Sequence, residues 1–318
     1  MPSLSILTPT YRPDLTYLTD LHRSIQRYTN SDVTHHLIVP QRDMSLFSRL
    51  RSNRTVIHGV NEFLPAHFLR TYALASSLTD ITKLFQIPTI HAINLRRPWP
   101  PIRGWILQQI TKLAAAASLD TDVVLVTDSD AVLIRHLSAT DFILNGTVRL
   151  YRKPYAIHSS MTQHLSWHDT ARQLLGLPAA PAGAQPDYIG GMLAWSPPIL
   201  RKLHKRLEEV NGVHWTTAVS SQLQFSESTL YGIFVENLAS TADRSFISSD
   251  VRCRTYFGAE PMDDRIGLEF LKAVTTDDLA ILIQSNSKTP VAIRRRVIAQ
   301  AQGSTTVQHQ LNNTWSWS

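Results

Sequence analysis

Short apolar runs alternate with helical patterns through the first half of the chain. Residues 4–7, 34–39 and 55–57 have the length and composition of buried strands. Between the first two, Leu15, Leu18, Leu21 and Ile25 recur at helical spacing after a Pro13-Asp14 start. A longer helical pattern covers 105–118, with Ile106, Gln109, Ile110 and Leu113 on one side. Asp120-Thr121-Asp122 ends it, and Val123-Val124-Leu125-Val126 follows as a continuous apolar strand. Strand, helix and strand in this rhythm predict an α/β fold with a central, mostly parallel sheet flanked by helices. The second half is less regular. A Pro-, Ala- and Gly-rich loop at 178–186 precedes a Gly-interrupted strand at 189–195, and a helix over 199–210 stops at Asn211-Gly212.

Composition narrows the class. The chain has 318 residues, 43% of them hydrophobic, which is enough for a large core without disulfides. A single cysteine, Cys253, excludes a disulfide framework and a thiolate zinc cage. No secretory leader and no apolar run of membrane-spanning length stands out, so a cytoplasmic protein is expected. The net charge of +6 suits an anionic partner. Arg294-Arg295-Arg296 and the Arg201, Lys202, Lys205 and Arg206 cluster suggest a polyanion-binding protein, but without interleaved aromatics or a nucleic-acid motif, and no nucleic-acid partner is expected.

The segment richest in chemistry is Asp128-Ser129-Asp130, at the end of the apolar strand. In α/β sheets ligands bind outside the carboxyl ends of strands, and two carboxylates there suit Mg²⁺ or Mn²⁺ shared with substrate phosphates. A plain turn would use the same residues. One family with this pattern, the haloacid-dehalogenase-like phosphotransferases, would make Asp128 a nucleophile. It also needs a later acidic motif, for which only Asp263-Asp264 is present.

The chain resembles the GT-A nucleotide-sugar transferases at four ordered places, spanning 3–253. Ser5-Ile6-Leu7-Thr8-Pro9-Thr10-Tyr11 is similar to the first strand and base-holding loop. Arg103, Gln108, Gln109 and Lys112 lie ahead of the metal motif Asp128-Ser129-Asp130. Asp187-Tyr188-Ile189-Gly190-Gly191 and Glu227-Ser228-Thr229-Leu230-Tyr231-Gly232 resemble the Gly-Gly strand and the acidic helix start of a bacterial branch. The resemblance implies a hexosyltransferase-like, metal-dependent enzyme that takes a nucleoside diphosphate sugar, a UDP-sugar first. Its acceptor would be a hydroxyl on a glycan, lipid-linked sugar or natural product, with peripheral membrane contact left open. It divides the chain into a nucleotide-sugar half (1–150), an acceptor half (151–290) and a C-terminal helix with a polar tail (291–318).

On this resemblance Thr8, Pro9, Thr10 and Tyr11 hold the base, while Arg103, Gln108 and Lys112 contact the nucleotide, Arg103 and Lys112 at its phosphates. Asp128 and Asp130 hold the cation, with Ser129 beside the nucleotide. An inverting reaction needs a carboxylate to take the acceptor proton. Glu227, opening an apolar helical segment, fills that role, with Asp187 as rival base or acceptor ligand. Gly190 and Gly191 allow close backbone approach to a sugar. His164-Leu165-Ser166-Trp167-His168 lacks the Glu of a metalloprotease helix, so a structural or sugar-packing role is expected. A late metal-binding His is missing apart from His309, leaving that region to Arg252-Cys253-Arg254 or Gln284-Ser285-Asn286.

Overall fold

The computed structural model describes residues 2–71, 90–240, 243 and 245–314, the last eleven as backbone only. A five-stranded sheet organises it, in the order Met192–Trp195, Val123–Thr127, Leu4–Pro9, Thr34–Val39, Thr55–Gly59. Four of these strands run parallel, and Met192–Trp195 is antiparallel to its neighbour. Leu4–Pro9 and Val123–Thr127 are buried at every position, which is why they read as mostly apolar runs, with only small Ser5, Thr8 and Thr127 among them, rather than alternating ones. Leu4, Ile6, Val123 and Leu125 point to one face and pack with Leu18, Leu21 and Ile25 of the Leu15–Tyr28 helix. Leu7, Val124 and Val126 point to the other, against the helices Gly104–Ser118 and Pro197–Asn211. The fold is therefore α/β with a largely parallel sheet covered on both faces, as the apolar pattern predicts.

The helix Pro197–Asn211 ends on Gly212, whose φ of 66° is the left-handed cap conformation that glycine adopts without strain. Among the described residues no helix is long and apolar enough to cross a membrane.

A second, three-stranded sheet was not visible in the apolar pattern. Cys253–Tyr256 runs parallel to Ala280–Ile283, which pairs antiparallel with Ala131–Leu133. Val132, Ile281 and Ile283 of this sheet pack beneath the helices Asp264–Ala273 and Val291–Thr314. Asp128-Ser129-Asp130 is thus the turn by which the chain leaves one sheet and enters the other. Gly191 stands at the seam. A Cβ there would lie 2.6 Å from Thr255 Oγ1 and 2.8 Å from Cys253 Sγ, so only glycine lets the two sheets approach. Sequence pattern starts this strand at 189, whereas its pairing begins at Met192. The last residues of the polar tail, 315–318, lie outside the described residues.

Candidate functional site

From Leu4–Pro9 the sheet grows one way through Thr34–Val39 and the other way through Val123–Thr127. The strand order reverses between these neighbours, and their carboxyl ends diverge into a crevice, the usual ligand position in open α/β sheets. A cleft of about 530 Å³ opens there. Pro9, Tyr11, Gln108, Lys112, Asp128, Ser129, Asp130 and Glu227, all singled out from sequence, line it.

Asp130 is 6% exposed. Its Oδ2 accepts the Ser285 amide at 2.8 Å, and its main-chain oxygen accepts Arg294 Nη2 at 3.0 Å. Its Oδ1 is buried with no hydrogen-bond partner. Burial, then the neighbouring Asp128, push the carboxyl up to about 6, against the Ser285 amide and Arg294. Asp128 is half-exposed on the cleft wall. Ser129 Oγ donates to Asp14 Oδ2 at 3.0 Å, and burial raises the Asp14 carboxyl. Asp14 also lines the cleft. Sequence reading placed it only as a helix start, because a Pro-Asp before a helix has a sufficient local explanation.

Opposite this turn, Lys112 Nζ lies 2.5 Å from Glu227 Oε1 and 3.9 Å from Asp128 Oδ1. Burial pulls the Lys112 ammonium down, but Glu227 and Asp128 outweigh it and hold it above its ordinary value. Glu227 is the first residue of the helix Glu227–Leu238, capped by Ser226, whose side chain accepts the Thr229 amide. Buried Gln109 accepts the Glu227 amide at 2.8 Å and so fixes where the helix begins.

The remaining candidates are distributed unevenly. Thr8 is fully buried, its Oγ1 3.1 Å from His35 Nε2. Thr10 is buried beside a second cavity of about 400 Å³, which shares Pro9, Tyr11, Trp105 and Gln108 with the cleft. Arg103 donates to the Leu223 carbonyl and does not line the cleft. Asp187 is half-buried outside the cleft, where its Oδ1 accepts the Ile189 amide at 3.0 Å. Gln284, Ser285 and Asn286 line the cleft, while Arg252, Cys253 and Arg254 line a separate cavity. The His309 side chain lies outside the described residues. His168 is buried against the Pro186 carbonyl at 2.9 Å, whereas His164 and Trp167 reach the cleft. Trp105, which sequence reading passed over, stacks obliquely on Trp167 with ring centroids 5.5 Å apart. Its signal was a large aromatic in the first turn of an otherwise apolar helix.

The basic clusters are partnered within the fold. Arg294 and Arg295 both pair with Asp20, at 2.9 and 3.2 Å, and Arg296 pairs with Asp264. Arg201 donates to the Ala117 carbonyl and Lys202 binds Asp243. Asp263 caps its own helix by accepting the Ile266 amide. Neither Asp263 nor Asp264 lines the cleft.

Among the described residues no group of three or more His, Cys, Asp or Glu side chains is arranged to hold an ion. Two carboxylates do not form a closed cage. Mg²⁺ and similar ions, however, are commonly held by one or two carboxylates, with water and substrate phosphates completing the shell. The unmet Asp130 Oδ1 beside half-exposed Asp128 fits such an open site.

No curated protein matches the sequence. Among solved structures, the apo crystal structure of mouse xyloside xylosyltransferase 1 is similar over 91% of this chain and 99% of that one, at 11% identity and a TM-score of 0.45. A likeness at that level carries no argument about fold or activity. The sequence pattern of a family of unknown function (DUF6492) matches residues 3–300, and the chain belongs to that family.

Proposed function

We propose that this protein is a glycosyltransferase that moves a sugar from a nucleoside diphosphate donor, a UDP-sugar first, to a hydroxyl acceptor. The observation that carries the reading is Asp130: a buried carboxylate oxygen without a partner, facing a cleft whose opposite wall presents Glu227. The base of the nucleotide would enter beside Pro9, Thr10 and Tyr11, with the adjoining cavity of about 400 Å³ as its room. Its diphosphate would lie along Asp128, Ser129 and Asp130. Mn²⁺ or Mg²⁺ held there by Asp130 and Asp128 would supply a Lewis acid for the charge of the departing diphosphate.

Lys112, between Glu227 at 2.5 Å and Asp128 at 3.9 Å, would offer a remaining donor to a phosphate oxygen. The acceptor sugar would pack on the Trp105 and Trp167 faces beside Gly190 and Gly191. In the transfer the bond from the anomeric carbon to diphosphate breaks, the acceptor oxygen bonds to that carbon, and Glu227 takes the hydroxyl proton. Direct displacement inverts the anomeric centre. Glu227 is favoured over Asp187 as base because Glu227 lines the cleft.

Thermal shift with UDP-, GDP-, dTDP- and CDP-sugars, with and without Mn²⁺, tests the donor. A ligand that binds only the folded state raises apparent stability by mass action. One donor class should raise Tm, and only when Mn²⁺ is present. Absence of a shift with every donor would overturn the proposal.

A further inference from the structure

Across Gly190 and Gly191 from the cleft lies a smaller cavity of about 150 Å³, and the two share Ile189, Gly190, Gly191 and Phe257. Three arginines line it: Arg149 from the strand Thr147–Tyr151, and Arg252 and Arg254 beside Cys253. Arg149 is only 3% exposed. Its Nη2 donates to Ser248 Oγ at 3.0 Å and to the Asp250 carbonyl, both neutral acceptors. Its Nε is buried with no partner, and no ion pair among the described residues includes it.

Arg252 is little better compensated. Its Nη1 donates to the Asp277 carbonyl at 3.3 Å but reaches the Asp277 carboxylate only at 4.0 Å, and its Nε too is buried without a partner. Arg254 alone is paired, to Asp278 at 3.3 Å. Burial first, then repulsion from Arg252, push Arg149 down to about 10, against the weaker pull of Asp250 and Tyr151, so it is still charged at neutral pH. Buried charges are ordinarily matched by a counter-charge, because desolvating an unpaired one costs several kcal/mol. The fold supplies that match to Arg294 through Asp20 at 2.9 Å, whereas Asp250 acts on Arg149 without an ion-pair contact among the described residues.

Guanidinium forks fit the oxygens of phosphate and carboxylate. A phosphate monoester brings three acceptor oxygens and a charge of about −1.5 to −2, which suits two under-compensated arginines better than a single carboxylate does. We propose that the Arg149 and Arg252 cavity binds a phosphate group carried by the acceptor, across Gly190-Gly191 from the Asp128-Ser129-Asp130 turn. The phosphate site stands on the arginines alone, whereas its assignment to an acceptor rests on the sugar-transfer reading. Gly190 is compatible with such a bridging ligand, since a Cβ there would meet no atom closer than 3.4 Å and the backbone stays open.

Inorganic phosphate, titrated at constant ionic strength and followed by thermal shift and ³¹P line width, is the first test. The wild type should bind it saturably, and the binding should persist with UDP and Mn²⁺ present. Arg252→Gln, at a partly exposed position, should weaken it at least tenfold, and Arg149→Lys, which keeps the charge, should weaken it less. Unchanged affinity in Arg252→Gln, or displacement by UDP and Mn²⁺, would overturn the site. The second test compares sugars with and without a phosphate ester as acceptors. A preference of at least tenfold in kcat/KM for the phosphorylated member, lost in Arg252→Gln, is expected. Phosphate binding without that preference overturns the acceptor source and leaves free phosphate as the ligand. Phosphate binding with no transfer to any acceptor overturns the sugar-transfer reading and the acceptor source together, while the anion site stands.

Discussion

Behind the Asp128-Ser129-Asp130 turn the buried arginine meets a carboxylate, whereas in front of it one carboxylate oxygen is left open. Behind it, Arg294 is 1% exposed, bound to Asp20 at 2.9 Å and set over the Tyr17 ring at 5.0 Å. It reaches the turn only through the Asp130 carbonyl. In front, Asp130 Oδ1 has no partner and Lys112 is shared between two carboxylates. The two regions use the same residue types in adjacent space. What separates architecture from candidate chemistry is whether a buried charge already meets a counter-charge, as Arg294 meets Asp20 although its own Nε has no hydrogen-bond partner.

The largest effect should come from the open side. Asp130→Asn keeps the shape but removes the charge, and sugar transfer should fall at least about 10³-fold, since the cation's stabilisation is worth several kcal/mol. Tm should hold or rise, because a carboxyl disfavoured by burial is gone. A collapsed Tm would show that Asp130 belongs with the structural pairs.

Glu227→Gln should lower kcat by about 10² to 10⁴ while donor Kd is unchanged, as expected for removal of a general base. Normal turnover in that variant sinks the base assignment and leaves Asp187 to be tested in the same assay.

On the paired side, Arg294→Met should destabilise by about 3 kcal/mol in urea unfolding, the usual cost of removing one partner of a buried pair. A variant that loses transfer but not stability would erase the distinction between the regions.

A fourth measurement concerns titration away from the cleft. Burial holds His204, stacked on Trp215 at 3.8 Å, down to about 3, and holds His36 down to about 4. Both stay neutral in the folded protein, while the unfolded chain takes up protons below its ordinary value of about 6.5. The unfolded state then binds more protons, so stability falls as pH drops from about 6.5 toward 3. The loss by pH 4 should be about 3 kcal/mol for His204, and His204→Phe should flatten it. The smallest effect belongs to the exposed Lys205–Glu209 pair, where Lys205→Ala should cost less than about 0.5 kcal/mol.

The elements were largely legible because their periods are local. The run at 123–126 is apolar throughout and that at 4–7 is broken only by buried Ser5, since helices cover both faces of their sheet. The 105–118 pattern reads as a helix although it is buried on most sides, Leu107, Thr111 and Ala115 included, because sheet and neighbouring helices both cover it. The small sheet was not legible: Ala131–Leu133 is three residues long and is paired by Ala280–Ile283, far away in sequence. For the site, the strand-end position of Asp128 and Asp130 could be read directly. That Lys112 would meet Glu227, and that Arg294 would brace Asp130 rather than face a polyanion, could not.

Sequence by itself determined the α/β class, the helix starting at Glu227 and the acidic turn after a buried strand. Each follows from neighbours within a few residues and from the geometry of one strand or helix. Tertiary structure alone decided which charges are matched: Arg294 has Asp20, Lys112 has Glu227, and Arg149 has no carboxylate partner among the described residues. The physical reason is range. Backbone preference and apolar patterning act over a turn or a strand, whereas a buried charge is settled by whichever groups the folded sheets bring to it.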